Sequence, residues 1–260
     1  MRCMADDLRR AIVSRNFLLV VFLIFLMYFF DGFESLGANT SLAMHLDDIM
    51  GIGAFTWLVP CVGAICYAGS YVSERKSGYA RYACQRGGVF RYVTSKAVAT
   101  YFSALLATYA GITLYAIYAY AINPVLADEH VVSTYREWAD SLSFCTLARA
   151  NNILAYIALH ILCRSLAAGM WAVVGLSISF LWPNQYAAIF SPALITYFKD
   201  FVYAWISINP SGFLKRLERG DISMTGVIAP ISYITGIFLG ISVALCLGAI
   251  LSLQRRLKDV

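Results

Sequence analysis

Charged residues are scarce in this sequence. They make up 13% of its 260 residues, and 60% of the residues are apolar, whereas ordinary soluble domains carry about a quarter charged residues. The 20 Lys and Arg residues fall in short clusters between long uncharged runs. This composition excludes an ordinary soluble domain, a disordered tail and a basic nucleic-acid-binding module, so we expect no nucleic-acid partner.

The spacings typical of metal sites, disulfide frameworks and common catalytic centres are also missing. The seven Cys and three His residues form no C-x-x-C or Cys/His ligand pattern. Neither H-E-x-x-H nor G-x-S-x-G occurs, and there is no phosphate-binding G-x-x-x-x-G-K-[ST] loop. We therefore predict a non-enzymatic chain without catalytic residues, metal or cofactor of its own. An intramembrane enzyme is the least favoured class of function.

Long apolar runs are what the sequence has instead. A helix that crosses ~30 Å of hydrocarbon at ~1.5 Å per residue needs about 20 mostly apolar residues. We predict an all-α integral membrane protein with one transmembrane domain over residues 1–260. Its six predicted spans lie at about 14–30, 51–72, 97–122, 151–181, 185–206 and 227–253.

The distribution of basic residues predicts the orientation of these spans. Thirteen of the 20 Lys and Arg residues fall in the two terminal segments and in the connection 73–96. Cytoplasmic segments of membrane proteins carry an excess of Lys and Arg. We therefore expect both termini and the connection 73–96 in the cytoplasm.

The first residues predict an amphipathic helix that lies in the membrane plane before the first span. Apolar residues recur there at spacings of three and four, with four charged residues on the opposite side. The apolar set is Met1, Met4, Ala5, Leu8, Ala11 and Ile12, and the charged set is Asp6, Asp7, Arg9 and Arg10. A simple juxtamembrane cap without any partner explains this pattern equally well.

The connection from Ser73 to Lys96 mixes basic and aromatic residues. The pattern predicts a short helix from about Gly78 to Arg86, stopped by the pair Gly87 and Gly88. Tyr79, Tyr82 and Ala83 are expected on one face of it, with Arg81 and Gln85 on another. Such a helix is able to dock in a groove of a partner protein. Contact with anionic lipid headgroups is the simpler explanation of the charges.

The segment Val72 to Lys96 resembles the connection between spans two and three in the type-2 permease family of ATP-binding cassette exporters. In that family a Glu at the end of span two precedes a Gly by four residues, and two basic clusters then lead into span three. The matching positions here are Glu74, Gly78, Arg86, Gly87, Arg91 and Lys96. The N-terminal helix is similar to the family's elbow helix. Ser179 to Pro192 resembles its turn between spans four and five, and Asn209 with Pro210 resembles its external segment.

The resemblance implies a permease subunit that moves an apolar or amphipathic substrate out of the cell by alternating access. Residues 78–90 would be a coupling helix that contacts a separate ATPase subunit, which binds the ATP and Mg. The implied coupling residues are Glu74, Gly78, Tyr79, Arg81, Tyr82, Arg86 and Arg91. A second permease copy or a paralogue would complete the transporter. We expect this protein in the bacterial plasma membrane.

Four charged or titratable residues interrupt the predicted spans. His160 and Arg164 lie in the fourth span, and Lys199 and Asp200 lie in the fifth. Ionisable residues are costly inside a membrane, so these four either sit near an interface and in protein contacts or line a substrate path. We predict an outer gate at residues 199–213. The alternative function is an ion-coupled secondary transporter or channel that uses Arg164, Lys199 and Asp200.

Small residues recur every four positions on the sixth predicted span, at Gly236, Gly240, Ala244 and Gly248. Such a stripe allows two helices to approach closely. The pattern alone does not decide whether the packing is within one subunit or between two.

Overall fold

The computed structural model describes residues 2–33, 35–36, 41–55, 58–137, 144–150, 152–206 and 228–258. In this part of the chain the regular secondary structure is entirely helical, which agrees with the predicted all-α class. The helices are α1 Arg2–Ile12, α2 Arg15–Gly32, α3 Leu42–Ile52, α4 Val59–Ile65, α5 Ser70–Lys76, α6 Tyr79–Gly87, α7 Val89–Ile122, α8 Glu129–Glu137, α9 Cys145–Arg149, α10 Ile153–Leu181, α11 Gln185–Ile206 and α12 Ile228–Lys258.

Four of these helices are long and apolar enough to cross a membrane. They are α2, α7, α10 and the Ile228–Arg255 part of α12. They coincide with the first, third, fourth and sixth predicted spans, although α7 begins eight residues earlier than predicted, at Val89. These helices are what an integral membrane protein requires.

The second predicted span, 51–72, is not one helix in the structure, and that part of the prediction is wrong. α3 ends at Ile52, and Gly53 leaves the helical conformation with φ −51° and ψ 132°. The carboxylate of Asp31 then accepts a hydrogen bond from the Phe55 backbone N–H at 3.0 Å. A Cβ on residue 53 would lie 2.6 Å from the Asp31 carboxylate, so the turn depends on glycine. Apolar character is continuous through 51–72, but the helix is not.

The fifth predicted span is helical along its whole length as α11, with Pro192 inside it. It is not one of the four long apolar helices found in the described residues. The side chains of Lys199 and Asp200 and the backbone of 207–213 lie outside the described part of the chain. The predicted outer gate at 199–213 therefore stays a prediction.

Helix α10 lies at the centre of the bundle. Of the residues in its most apolar 18-residue stretch, 83% are buried. The corresponding share is 22% for α2 and 28% for α12. Helix α10 packs against α4, α7, α11 and α12. Close approach at Gly175, where an added Cβ would collide with the backbone carbonyl of Ala188, brings α11 against α10.

The small-residue stripe of α12 faces away from the rest of the described chain. A Cβ added at Gly236, Gly240 or Gly248 would meet no other atom within 4 Å. Close packing of this stripe within the described part of one subunit is therefore excluded.

Candidate functional site

A buried lysine lies near the start of α7. Lys96 is 1% exposed, and its ammonium donates three hydrogen bonds. The acceptors are Asp7 Oδ1 at 2.8 Å, Glu74 Oε1 at 2.5 Å and the Tyr67 hydroxyl at 3.0 Å. All three N–H groups of the ammonium are thus satisfied. We call the set Asp7, Tyr67, Glu74, Tyr92, Ser95 and Lys96 the Lys96 cluster.

Each carboxylate in the Lys96 cluster has further donors. Asp7 accepts hydrogen bonds from the hydroxyls of Ser95 at 2.6 Å and Tyr67 at 2.9 Å. Glu74 accepts one from the hydroxyl of Tyr92 at 2.6 Å. The cluster is a connected network, which is the condition under which buried polar groups stabilise a fold.

The charges of the Lys96 cluster are one cation and two carboxylates. Burial raises the pKa of the Asp7 carboxyl, but hydrogen bonds from Lys96 and Ser95 and the positive charge of Lys96 outweigh burial, so its pKa lies below the ordinary value. The ammonium also lies 5.0 Å from the ring centroid of Tyr67 and 5.7 Å from that of Tyr92, where a cation is attracted to the ring face. Removing one partner from such a buried pair typically costs about 3–5 kcal/mol.

The Lys96 cluster joins three parts of the chain. Asp7 belongs to α1, Glu74 lies in α5 just before α6, and Lys96 belongs to α7. The sequence placed Asp7 on the exposed side of the N-terminal helix. That assignment is wrong, because Asp7 is 5% exposed while Met4 is 46% exposed. The ion pair with Lys96 holds Asp7 inward, while the neighbouring Asp6 stays exposed.

The predicted short helix after Glu74 is present as α6. It begins after Gly78 and ends before Gly88, and these two glycines have φ of 77° and 79°. Positive φ is accessible to glycine at little cost, so both residues define the ends of the helix. The Gly88 backbone N–H donates to Cys84 at the end of α6. Gly88 is also the single residue between α6 and α7.

The two faces of α6 differ in chemistry. Ala80 and Cys84 are buried in an apolar cluster that also contains Val93 of α7. The outward face is basic and aromatic, and the Arg86 guanidinium lies 5.1 Å from the ring centroid of Tyr82. We call the exposed residues Tyr79, Arg81, Tyr82, Gln85 and Arg86 the α6 surface. Ala83, predicted beside the two tyrosines, is only partly exposed.

The remaining coupling candidate, Arg91, lies outside α6. It is exposed in the first turn of α7. Neither Arg81 nor Arg91 forms an ion pair with another described residue. The guanidiniums of Arg81 and Arg91 are therefore available to an external partner.

His160 and Arg164 both lie on the central helix α10. His160 is 5% exposed, and its ring centroid lies 4.4 Å from that of Tyr156. Its Nε2 has no hydrogen-bond partner among the described residues. Arg164 lies beside the buried Tyr28 of α2. His160 thus contacts a residue of its own helix, whereas Arg164, one turn away, contacts α2.

A second polar site, which the sequence did not indicate, is centred on His45 of α3. Its Nε2 lies 2.6 Å from the Tyr115 hydroxyl and its Nδ1 3.3 Å from the Ser35 hydroxyl. Burial lowers the pKa of His45 below its ordinary value, although the charge of Asp48 opposes this. Tyr115 is 19 residues beyond Lys96 on α7, or about 28 Å along the helix. The two polar sites therefore lie far apart along the bundle.

Comparison with known proteins gives no relative. No family model, curated protein or solved structure matches this chain. The fold and site define a helical protein of membrane type with an exposed basic and aromatic helix beside a buried ion-pair cluster. Any functional conclusion rests on these two features.

Proposed function

We propose that this protein is the transmembrane permease subunit of an ATP-binding cassette exporter. The observation that carries the proposal is the position of α6. Its outward face is basic and aromatic, and the two helices that flank it, α5 and α7, are tied together by the Glu74–Lys96 ion pair at 2.5 Å. A surface for a partner is thereby attached to the longest helix of the bundle.

The contacts around α6 support transmission of movement. Glu74 precedes α6 by five residues, and Lys96 follows it by nine. Separating their side chains would leave buried charges without partners, at a cost of about 3–5 kcal/mol. A push on α6 therefore moves α5, α7 and, through Asp7, α1 together. When the ATPase closes, this joint movement would shift the bundle from inward-open to outward-open.

In this proposal the chain crosses the membrane six times. α2, α7, α10 and α12 make four of the crossings, and α11 makes the fifth. The broken segment 59–76 makes the remaining one, since its 18 residues would extend about 27 Å as a helix. α1 serves as the elbow helix, and both termini and α6 face the cytoplasm.

The partners follow from the same proposal. The ATPase subunit binds the ATP and Mg, and it presents acidic side chains to Arg81 and Arg86. Two permease copies, or one copy and a paralogue, form the pathway for an apolar or amphipathic substrate in the bacterial plasma membrane. The exposed stripe of α12 at Gly236, Gly240 and Gly248 supports contact with a second subunit.

One observation favours the alternative of an ion-coupled transporter or channel. The central helix α10 buries His160 with an unpartnered Nε2 and places Arg164 one turn away. Titratable groups in such positions often serve proton or ion movement. This alternative requires no ATPase.

Co-purification distinguishes the two functions. The tagged protein is solubilised gently from its native cells, and its partners are identified by mass spectrometry. We expect an ATPase with the wild type, and its loss from the double variant Arg81→Glu, Arg86→Glu. Arg15→Glu, an exposed charge reversal outside α6, is the matched control and retains the ATPase.

Two outcomes contradict the exporter proposal. One is the absence of an ATPase from the wild type under conditions that preserve other membrane complexes. The other is equal recovery of the ATPase with the charge-reversed α6. Ion flux through the purified protein alone would then support the alternative.

A further inference from the structure

A short helix is attached to the end of the bundle that lies far from α6. Helix α3 packs against α2, α7 and α10, and Leu42, Leu46 and Ile49 are buried on its inner side. Its first turn also holds the connection after α7, since the Leu42 backbone N–H donates to the Val125 carbonyl at 2.8 Å. A change in the packing of α3 therefore reaches three helices and this connection.

His45 is a buried titratable residue on α3. Its side chain is 3% exposed. Its Nε2 lies 2.6 Å from the Tyr115 hydroxyl, and its Nδ1 lies 3.3 Å from the Ser35 hydroxyl. The imidazole thus joins α3 to α7 on one side and to the residues that follow α2 on the other.

The contacts of Tyr115 define which nitrogen of His45 carries the hydrogen. Tyr115 is 0% exposed, and among the described residues the acceptor that its hydroxyl reaches is His45 Nε2. Since a buried hydroxyl needs an acceptor, the hydrogen of the neutral imidazole lies on Nδ1. Nδ1 then donates to Ser35, whose hydroxyl donates to the Gly32 carbonyl at 3.3 Å. Each hydrogen in this chain has an acceptor, and the arrangement requires a neutral histidine.

A proton on Nε2 disrupts this arrangement. Both ring nitrogens of the cation are donors, so the Tyr115 hydroxyl loses its acceptor. A Cβ added at Gly32 would collide with that hydroxyl, so the backbone of α2 covers it on that side. The site therefore holds the neutral imidazole better than the cation, and proton uptake favours movement of α3 away from α7.

An acidic residue of α3 acts in the opposite direction. The charge of Asp48 favours the cation, but burial outweighs it and the pKa of His45 lies below its ordinary value. Asp47 and Asp31 already accept hydrogen bonds, from Tyr156 of α10 and from a backbone N–H beyond the end of α3. The other titratable side chains in this part of the bundle are Tyr28 on α2, Tyr115 and Tyr118 on α7, His160 and Arg164 on α10, and Asp128 in the connection after α7. Burial therefore keeps His45 neutral at neutral pH.

We propose that His45 is a pH-sensitive latch, which holds α3 against α2 and α7 when neutral and releases it when protonated in mild acid. The hydrogen-bond chain accounts for the holding, and the Tyr115 hydroxyl left without an acceptor accounts for the release. In the orientation proposed above α6 faces the cytoplasm, so α3, near the other end of α7, responds to the acidity of the outer medium. The latch belongs to this chain alone and does not depend on an ATPase partner.

Hydrogen exchange of the purified protein in lipid nanodiscs tests the latch. Backbone exchange of peptides from α3 is measured at pH 7.5, 6.5 and 5.5 and corrected for the intrinsic pH dependence of amide exchange. A released state that takes up its proton with the ordinary pKa of about 6.5 gains at most about tenfold in population between pH 7.5 and pH 5.5. We therefore expect the exchange rate of α3 to rise by about three- to tenfold, while the segment of α7 around Lys96 stays constant.

Variants assign the change to His45. His45→Gln removes the titration and should make the exchange of α3 independent of pH. His130→Gln, which replaces an exposed histidine on α8, is the matched control and should keep the response of the wild type. Tyr115→Phe serves as a second variant should His45→Gln fold poorly. It has no hydroxyl to leave without an acceptor, so it should raise the exchange of α3 already at pH 7.5 and reduce its dependence on pH.

Three outcomes would overturn the latch. The first is unchanged exchange of α3 in the wild type between pH 7.5 and pH 5.5. The second is an increase of equal size in every helix, which would indicate loosening of the whole bundle. The third is a full response in either His45→Gln or Tyr115→Phe.

Discussion

The ammonium of Lys96 lies 2.5 Å from a carboxylate oxygen of Glu74, a residue 22 positions earlier in the chain. This contact closes a loop that contains the whole of α6. It also fixes where α6 sits on α7, because the two residues lie on either side of it. The same ammonium holds Asp7 of α1 at 2.8 Å. One side chain therefore sets the relative positions of three helices.

Replacing the cation should destabilise the protein strongly. Lys96→Met leaves Asp7 and Glu74 buried without their counter-charge, and we expect a loss of about 3–5 kcal/mol in the free energy of unfolding. Unfolding in bicelles measures it. Lys76→Met, an exposed lysine at the end of α5, should change stability by less than about 0.5 kcal/mol.

Neutralising Lys96, Asp7 and Glu74 together should restore much of the stability that is lost in Lys96→Met. In the triple variant Lys96→Met, Asp7→Asn, Glu74→Gln no buried charge is left unpaired. We expect it to be more stable than Lys96→Met alone. A Lys96→Met variant within about 1 kcal/mol of the wild type would show that the cluster does not hold the helices together.

The hydroxyl of Tyr92 should make its own contribution to the stability of the fold. It donates to Glu74 at 2.6 Å, and a hydrogen bond to a charged group is worth about 1.5–3 kcal/mol. We expect Tyr92→Phe to lower the free energy of unfolding by this amount. Tyr79→Phe is the matched control, since Tyr79 is 47% exposed on α6. Equal effects of the two substitutions would argue against the bond to Glu74.

Stability should fall on mild acidification because of His45. Its folded-state pKa lies below 6.5 because burial disfavours the cation, so the unfolded chain takes up the proton first. Stability is then constant above about pH 7 and decreases as the pH falls through 6.5, by up to about 1.4 kcal/mol per pH unit. Asp7 adds nothing in this range, because its pKa lies below 3.8.

Unfolding midpoints at pH 7.5, 6.5 and 5.5 measure this slope. His45→Gln should remove most of it, whereas His130→Gln, an exposed histidine on α8, should leave it unchanged. A slope that persists in His45→Gln would place its origin elsewhere.

Two glycines in helix interiors should respond to alanine in opposite directions. In Gly175→Ala the new Cβ meets the backbone carbonyl of Ala188, and such overpacking costs about 1–3 kcal/mol. Gly240→Ala has open space around it and should gain up to about 1 kcal/mol from helix propensity. Unfolding of the two variants under identical conditions measures the difference. Destabilisation of Gly240→Ala only in the oligomeric protein would instead show that a second subunit covers it.

The parts of the fold that the sequence predicted are those governed by local rules. Apolar runs of sufficient length predicted α2, α7, α10 and α12, and Gly78 and the pair Gly87 and Gly88 marked the two ends of α6. The break in 51–72 was missed although Gly53, after α3, and Pro60, in the first turn of α4, are local signals for it. The contact that holds the turn, between Asp31 and the Phe55 backbone N–H, spans 24 residues. No local pattern reports a contact of that separation.

In the candidate site too, local patterns indicated some of the residues but not the long-range contacts between them. Glu74 and Lys96 were both named from the resemblance of their segment, but nothing in the sequence indicated that they pair with each other. Asp7 was placed on an exposed face because its partner is 89 residues away. The signal that was present is a lone lysine beside the apolar run that begins at Ala97. A charge in such a place requires a partner, and the N-terminal helix offers two acids, Asp6 and Asp7.

The position of Lys96 along α7 makes that helix an unequal lever. The 34-residue helix is pinned eight residues from its start, which leaves arms of about 10 Å toward α6 and about 39 Å toward Ile122. If α7 tilts as a rigid rod about this point, a displacement of about 1 Å at α6 becomes about 4 Å at the far end. The fold thus amplifies small movements at one surface into large ones at the other.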